Sequence, residues 1–140
     1  LEFRRVLFRS GFDSPSLHNM KIGYVVLYVN NPETCLQFWT QKVGMVEKGS
    51  KQAGPFSIVK VGFSDQDFSF ELVPLELMKN NPHNLDLATP SIAFYVSNLE
   101  KTRETLLENQ VQVTEIGDRG GIKSFAFIDN ESRGFAVLEQ

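Results

Sequence analysis

Residues 24–33 read Tyr-Val-Val-Leu-Tyr-Val-Asn-Asn-Pro-Glu, and residues 91–100 read Ser-Ile-Ala-Phe-Tyr-Val-Ser-Asn-Leu-Glu. Each opens on β-branched and aromatic residues, which favour a pleated strand. Each then turns into a helix start: Asn31 and Asn98 are capping residues, Pro32 suits the first helical position, and Glu33 complements the helix dipole. Tyr28 and Tyr95, Val29 and Val96, Asn31 and Asn98, and Glu33 and Glu100 are each 67 residues apart, and Val46 and Val113 keep that offset. Identities bunched around one strand-to-helix junction mark an internal duplication.

The rest of each half supports this reading. Leu36, Trp39 and Val43 recur at helical spacing with Phe38 beside them, and Gly44 ends the helix. Strands follow at Met45–Lys48, Phe56–Phe63 and Phe68–Pro74. In the second half a strand over Ser91–Ser97 precedes a helix to about Asn109. Strands at Val111–Ile116, Ile122–Ile128 and Gly134–Glu139 complete it. The expected fold is α+β: two βαβββ modules in tandem, 20–74 and 91–140, forming a curved mixed sheet around a concave pocket. Residues 75–90, rich in Asn and Pro, are the linker. Alternation points Val25, Leu27 and Val29 at the first helix, and Tyr24, Val26 and Tyr28 into the concavity. It likewise divides Ile92, Phe94 and Val96 from Ser91, Ala93 and Tyr95.

Residues 1–19 stand apart. Arg5-Val6-Leu7-Phe8-Arg9-Ser10 resembles translated cloning or adapter DNA, and an Arg-rich N-terminus is also a form of targeting segment. The segment is set aside from the fold, and His18 with it.

With these elements in place the chain resembles the vicinal oxygen chelate superfamily, which includes glyoxalases, bleomycin-resistance proteins and extradiol dioxygenases. The likeness is carried by Tyr24–Glu33, Phe38-Trp39, Val43-Gly44-Met45, Ile92–Glu100 and the closing Asp129–Leu138 turn and strand. It implies a divalent metal held from the first, fourth, fifth and eighth strands and acting as a Lewis acid. Those positions fall on Tyr24, Glu71, Ser91 and Ala136 or Val137. Neutral hydroxyls are poor ligands beside imidazole and carboxylate, and an aliphatic side chain is none. Glu139 is the nearest carboxylate on the last strand, on the side of Val137. No metal and no other cofactor is therefore expected.

Composition narrows the remaining classes. The chain has 140 residues, net charge −3, 41% hydrophobic and 22% charged residues, which suits one globular domain. One cysteine excludes an internal disulfide framework. The acidic balance argues against nucleic acid, and no apolar run is long enough to span a bilayer. The resemblance also implies a pocket built across a homodimer. The expectation is thus a metal-independent, cytoplasmic, homodimeric protein that binds a small molecule, in the manner of antibiotic or hydrophobic-ligand sequestration. The competing readings are a divergent lyase or isomerase with Glu71 as base, and a regulatory module with a vestigial pocket.

The expected pocket lining is Tyr24, Tyr28, Trp39, Glu71, Ser91, Tyr95 and Phe127. Glu71 reads as a pocket carboxylate or as a strand carboxylate paired at the rim. The tyrosines read as ligand-stacking groups or as packing, and Trp39 as core or ligand contact. Phe56, Phe125 and Phe127 alternate as either an aromatic lining or a strand core. Cys35 lacks a neighbouring base and reads as structural. His83 is a linker histidine or an acid-base group at the pocket mouth. Arg119-Gly120-Gly121 is a plain turn or a mobile hairpin tip.

Overall fold

The computed structural model describes Leu17 and residues 20–140; the rest of the expected leader, with His18, lies outside the described residues. The first module runs β1 (Val25–Val29), α1 (Pro32–Gln37), a π-turn (Phe38–Lys42), β2 (Val46–Ala53), β3 (Phe56–Gly62) and β4 (Phe70–Pro74). A short 3₁₀ turn, Leu75–Met78, opens the linker. The second module runs β5 (Ala93–Val96), α2 (Leu99–Glu108), β6 (Gln112–Val113), β7 (Gly117–Arg119), β8 (Ile122–Ile128) and β9 (Gly134–Glu139). The α+β class and the tandem repeat stand, with the strands divided between two mixed sheets. Their orders are β1-β4-β3-β2 and β5-β9-β8-β6, with β7 paired to β8. In each, the first and last strands of the module run parallel.

Several element boundaries differ from expectation. The second strand continues to Ala53 although Val46–Ala53 is almost wholly polar, because the Gly54-Pro55 turn folds it onto β3 in a hairpin with a bulge at Glu47/Gly49. The strand expected over 111–116 is reduced to β6, and an unexpected short strand, β7, follows it at Gly117–Arg119. The first helix ends in a π-turn, which inserts one extra residue.

That insertion changes how the two halves superpose. The N-caps match: Asn31 and Asn98 have nearly the same backbone angles, and their Oδ1 atoms accept from the amides of Thr34 and Lys101, 67 residues apart. The helix ends match at an offset one residue shorter. Met45 N–H donates to Trp39 O, and Val111 N–H donates to Leu106 O. In the sheets Glu47 opposes Val61 as Val113 opposes Phe127. Val46 and Val113 therefore keep the sequence spacing without being equivalent in space.

One hydrophobic core lies between the helix-facing sides of both sheets. Trp39 is its centre. The ring is 0% exposed and sits 5.2 Å from Phe70 in the first module and 5.0 Å from Phe135 in the second. Phe70 and Phe135 occupy equivalent places on β4 and β9. Edge-on and tilted ring pairs of this kind add to the burial term.

A second link between the modules is ionic. Arg133 Nη1 lies 3.1 Å from Asp129 Oδ2, and Nη2 lies 2.9 Å from Glu131 Oε1. Arg133 Nη2 also donates to the carbonyl of Tyr28 at 2.7 Å. Glu131 in turn accepts from the amides of Asn30 and Asn31, both at 2.9 Å. The β8–β9 turn thus clamps the strand-to-helix junction of the first module. Burial alone would raise the pKa of Glu131. The two amides and Arg133 outweigh it and hold the carboxyl below its ordinary 4.5.

Two predictions follow from these features. Gln110 sits at φ +65 where the second helix ends, the left-handed region that Gly44 occupies at φ +95 in the first module. Gln110→Gly should stabilise by about 0.5–1 kcal/mol, read as a Tm rise of a few degrees. Glu131→Gln should cost about 1–3 kcal/mol at pH 7 in denaturant titrations. A lowered folded pKa gives stability that is present above pH 4.5 and is lost as pH falls through the folded value. The gap between wild type and variant should therefore close in acid, and a gap unchanged down to pH 2 would contradict the clamp.

Candidate functional site

The side of the first sheet turned away from the core is an open face. Val26, Glu71 and Lys60 stand in one cross-strand row, and Tyr28, Val73, Ile58 and Lys51 form the next. Strand alternation forces this set, since the intervening Leu27, Leu72 and Val59 are buried in the core. Because β4 lies between β1 and β3, Glu71 occupies the middle of the sheet. Its side chain is only 8% exposed, and Lys51 Nζ stands 3.9 Å from Oε2. Lys51 itself is largely in solvent, so this pair contributes little stability and mainly sets the local charge. Lys60 Nζ lies 4.2 Å from the centroid of the Tyr24 ring, a cation–π contact. Tyr24 remains 41% exposed.

The second sheet has a matching face with different chemistry. Ala93 pairs with Ala136, Tyr95 with Leu138, and Ala126 with Ala136. Ala136 stands where Glu71 stands in the first module, and Ala126 where Lys60 stands. Small and apolar residues thus replace charges. Tyr95 is 68% exposed, and Ser91 is exposed just before β5.

The expected site residues therefore divide among several places. Tyr24, Tyr28 and Glu71 share the first face. Ser91 and Tyr95 belong to the second. Trp39 is in the core and offers no surface to a ligand, which corrects its place in the lining: the ring is needed to join the two sheets. Phe127 is also almost fully buried, although its edge reaches a cleft of about 760 Å³ at the junction of the modules, where Tyr95 also lies. Burial pushes the Cys35 thiol up to about 12, with Asn130 donating to its sulfur, so the thiol stays protonated and inert. His83 is exposed in the linker, and Arg119 and Ile122 close a tight turn through Gly120 and Gly121. Lys51 and Lys60 were not among the expected residues. Lys60 lies opposite Glu71, but only the β3–β4 register reveals that, and Lys51 lies beyond the expected end of β2.

The four positions that would hold a divalent metal are Tyr24, Glu71, Ser91 and Ala136. They supply one carboxylate, two neutral hydroxyls and a methyl group, a donor set that does not fit such an ion. Glu139 does not complete it: its Oε2 accepts from the Leu99 amide at 3.1 Å, at the start of α2 on the core side. Among the described residues no group of three His, Cys, Asp or Glu side chains is placed to hold a metal. None of the described helices is long and apolar enough to cross a membrane.

Comparisons with known proteins agree with this fold. A search of curated proteins finds no match. Among solved structures, UcmS2 superposes with a TM-score of 0.71 at 18% identity, covering 86% of this chain and 98% of its own. TnmS3, described as an antibiotic binding protein from Streptomyces sp. CB03234, gives 0.72 at 13% identity, covering 89% of this chain and 98% of its own. A superfamily member from Sphaerobacter thermophilus DSM 20745 gives 0.73 at 18% identity, covering 86% and 98%. At such identities the likeness shows the fold alone. The family model for the Glyoxalase/Bleomycin resistance protein/Dioxygenase superfamily matches residues 21–137, and the chain belongs to that superfamily.

Proposed function

We propose that the protein binds a small organic molecule without a metal, as a cytoplasmic homodimer, in the manner of antibiotic or hydrophobic-ligand sequestration. The observation that carries this reading is Glu71: a nearly buried carboxylate in the middle of an open sheet face, beside Tyr24, Tyr28 and two lysines. The tyrosine rings provide flat apolar surface with a polar tip, which suits an aromatic ligand. Glu71 and Lys60 supply opposite charges that fix its orientation. In a homodimer the apolar face around Ala93, Ala136 and Leu138 of one copy covers the charged face of the other and excludes water from the ligand. The likeness to TnmS3, an antibiotic binding protein, supports an antibiotic among the candidates.

Glu71 as general base is the competing reading, and one variant separates the two. A panel of aromatic antibiotics is screened by thermal shift, where a ligand at a hundredfold its Kd stabilises by about 2.7 kcal/mol. Glu71→Gln should weaken the best binder about tenfold in calorimetry, with no change in covalent structure of the ligand during incubation. Ligand conversion by wild type that is lost in Glu71→Gln would replace the binding reading with catalysis. Stoichiometric metal surviving dialysis would overturn metal independence, and monomeric sedimentation with ligand bound would overturn the shared pocket.

A further inference from the structure

The two modules differ most where their helices meet their own sheets. The core-facing positions of the first helix are Cys35 and Trp39, both fully buried. The equivalent positions of α2 are Thr102 and Leu106, because both helices start from matched N-caps and both ends close on Trp39 O or Leu106 O. An indole in one module is thus an isobutyl group in the other, and a thiol is a hydroxyl.

The consequence is visible on the first strand of each module. Leu27 and Val29 on β1 are 1% and 0% exposed. Their counterparts Phe94 and Val96 on β5 are only partly buried. They look into the junction cleft, which Thr102 and Leu106 line from the helix side. The far wall comes from the first module: Phe63 and Phe68 bracket the β3–β4 connection, which also brings Asp65 and Gln66 to the cleft. Phe63 meets Phe94 edge-on at 6.5 Å. At about 760 Å³ the cleft falls in the range of sites that take drug-sized molecules. Its floor is aromatic and aliphatic, and Gln66, Thr102 and Gln140 offer amides and a hydroxyl at its edges. Asp65 is the one charged side chain among the described lining residues; no Lys, Arg or His lines it.

We propose that this cleft is a second binding site, separate from the Glu71 face, for flat aromatic molecules carrying a positive charge. The rings of Phe63, Phe68 and Phe94 present edges and faces to a planar system, and Asp65 at the opening complements a cation. A ligand with an acidic group meets the like charge of Asp65, and no Lys, Arg or His is among the described lining residues; the nearest cation, Lys48, donates from Nζ to the Gln66 carbonyl at the edge of the cleft. The site lies where the second helix presents Thr102 and Leu106 at the positions that Cys35 and Trp39 hold in the first. It goes beyond the proposed function, since Glu71 and the open face of the first sheet are not needed for it, although Ala93 and Tyr95 of the second face reach its rim.

The test uses proflavine, a planar tricyclic cation, and anthracene-9-carboxylate, an anion of similar shape, titrated into the full chain by fluorescence. Proflavine should bind with a micromolar Kd and the anion at least tenfold more weakly. Leu106→Trp restores to the second module the side chain present in the first, so it should fill the cleft and abolish proflavine binding while keeping a cooperative thermal transition. Asp65→Asn, at an exposed loop position, should fold normally and weaken proflavine about tenfold. Amide shifts on proflavine binding should centre on Gln66, Thr102 and Leu106. The proposal is overturned if proflavine does not bind, if a folded Leu106→Trp binds it as wild type does, or if the shifts centre on Val26 and Glu71. Loss of self-association in Leu106→Trp would assign the cleft to a second copy of the chain, and would overturn it too.

Discussion

The arrangement of the two modules rests on the guanidinium of Arg133. It is held by Asp129 and Glu131 on its own turn and also donates from Nη2 to the carbonyl of Tyr28. Glu131 completes the link through the amides that open the first helix. A nearly buried charge pair gives little net stability against an apolar replacement, but breaking it leaves a charge without a partner. That asymmetry favours one relative placement of the modules, and with it the packing of Trp39 against Phe70 and Phe135.

Everything outside that core follows from which faces it leaves over. Two sheets whose helix-facing sides are joined must turn their other sides outward. One outward face keeps Glu71 and Lys60, and the other holds Ala136 and Ala126 in the equivalent places. The duplication has thus yielded two surfaces of one geometry and unlike chemistry. The same divergence acts on the inward side, where Trp39 packs against rings of both modules and its counterpart Leu106 lines the partly open junction.

Much of the fold is legible in the chain because local rules dominate its first signals. Asn31, Pro32 and Gly44 act at the helix ends as their side chains and φ preferences require. Alternation along β1 and β5 separates buried from outward residues correctly. The polar strand from Val46 to Ala53 is legible only to Lys48, since its ladder is supplied by β3 and not by its own residues. The π-turn has no local signature, and it is what shifts Val46 out of equivalence with Val113. The site was legible as a list of residues and not as an assembly. Glu71 and the tyrosines could be named from strand parity, whereas Lys51 needs the hairpin register, and the burial of Trp39 needs the second sheet above it.

By itself the sequence determined the repeat, the two helices and most strands, the family likeness, and the scarcity of metal ligands. These depend on residue type, short-range periodicity and spacing, which act within a few turns of chain. Only the tertiary structure decided that the strands form two sheets and that Ala136, not Val137, faces outward beside Ala93. It also decided that Glu139 binds the Leu99 amide and that Glu131 secures a helix start about a hundred residues away. Such outcomes depend on register and on which faces meet, and a one-residue change in register sends a side chain to the opposite side of a sheet.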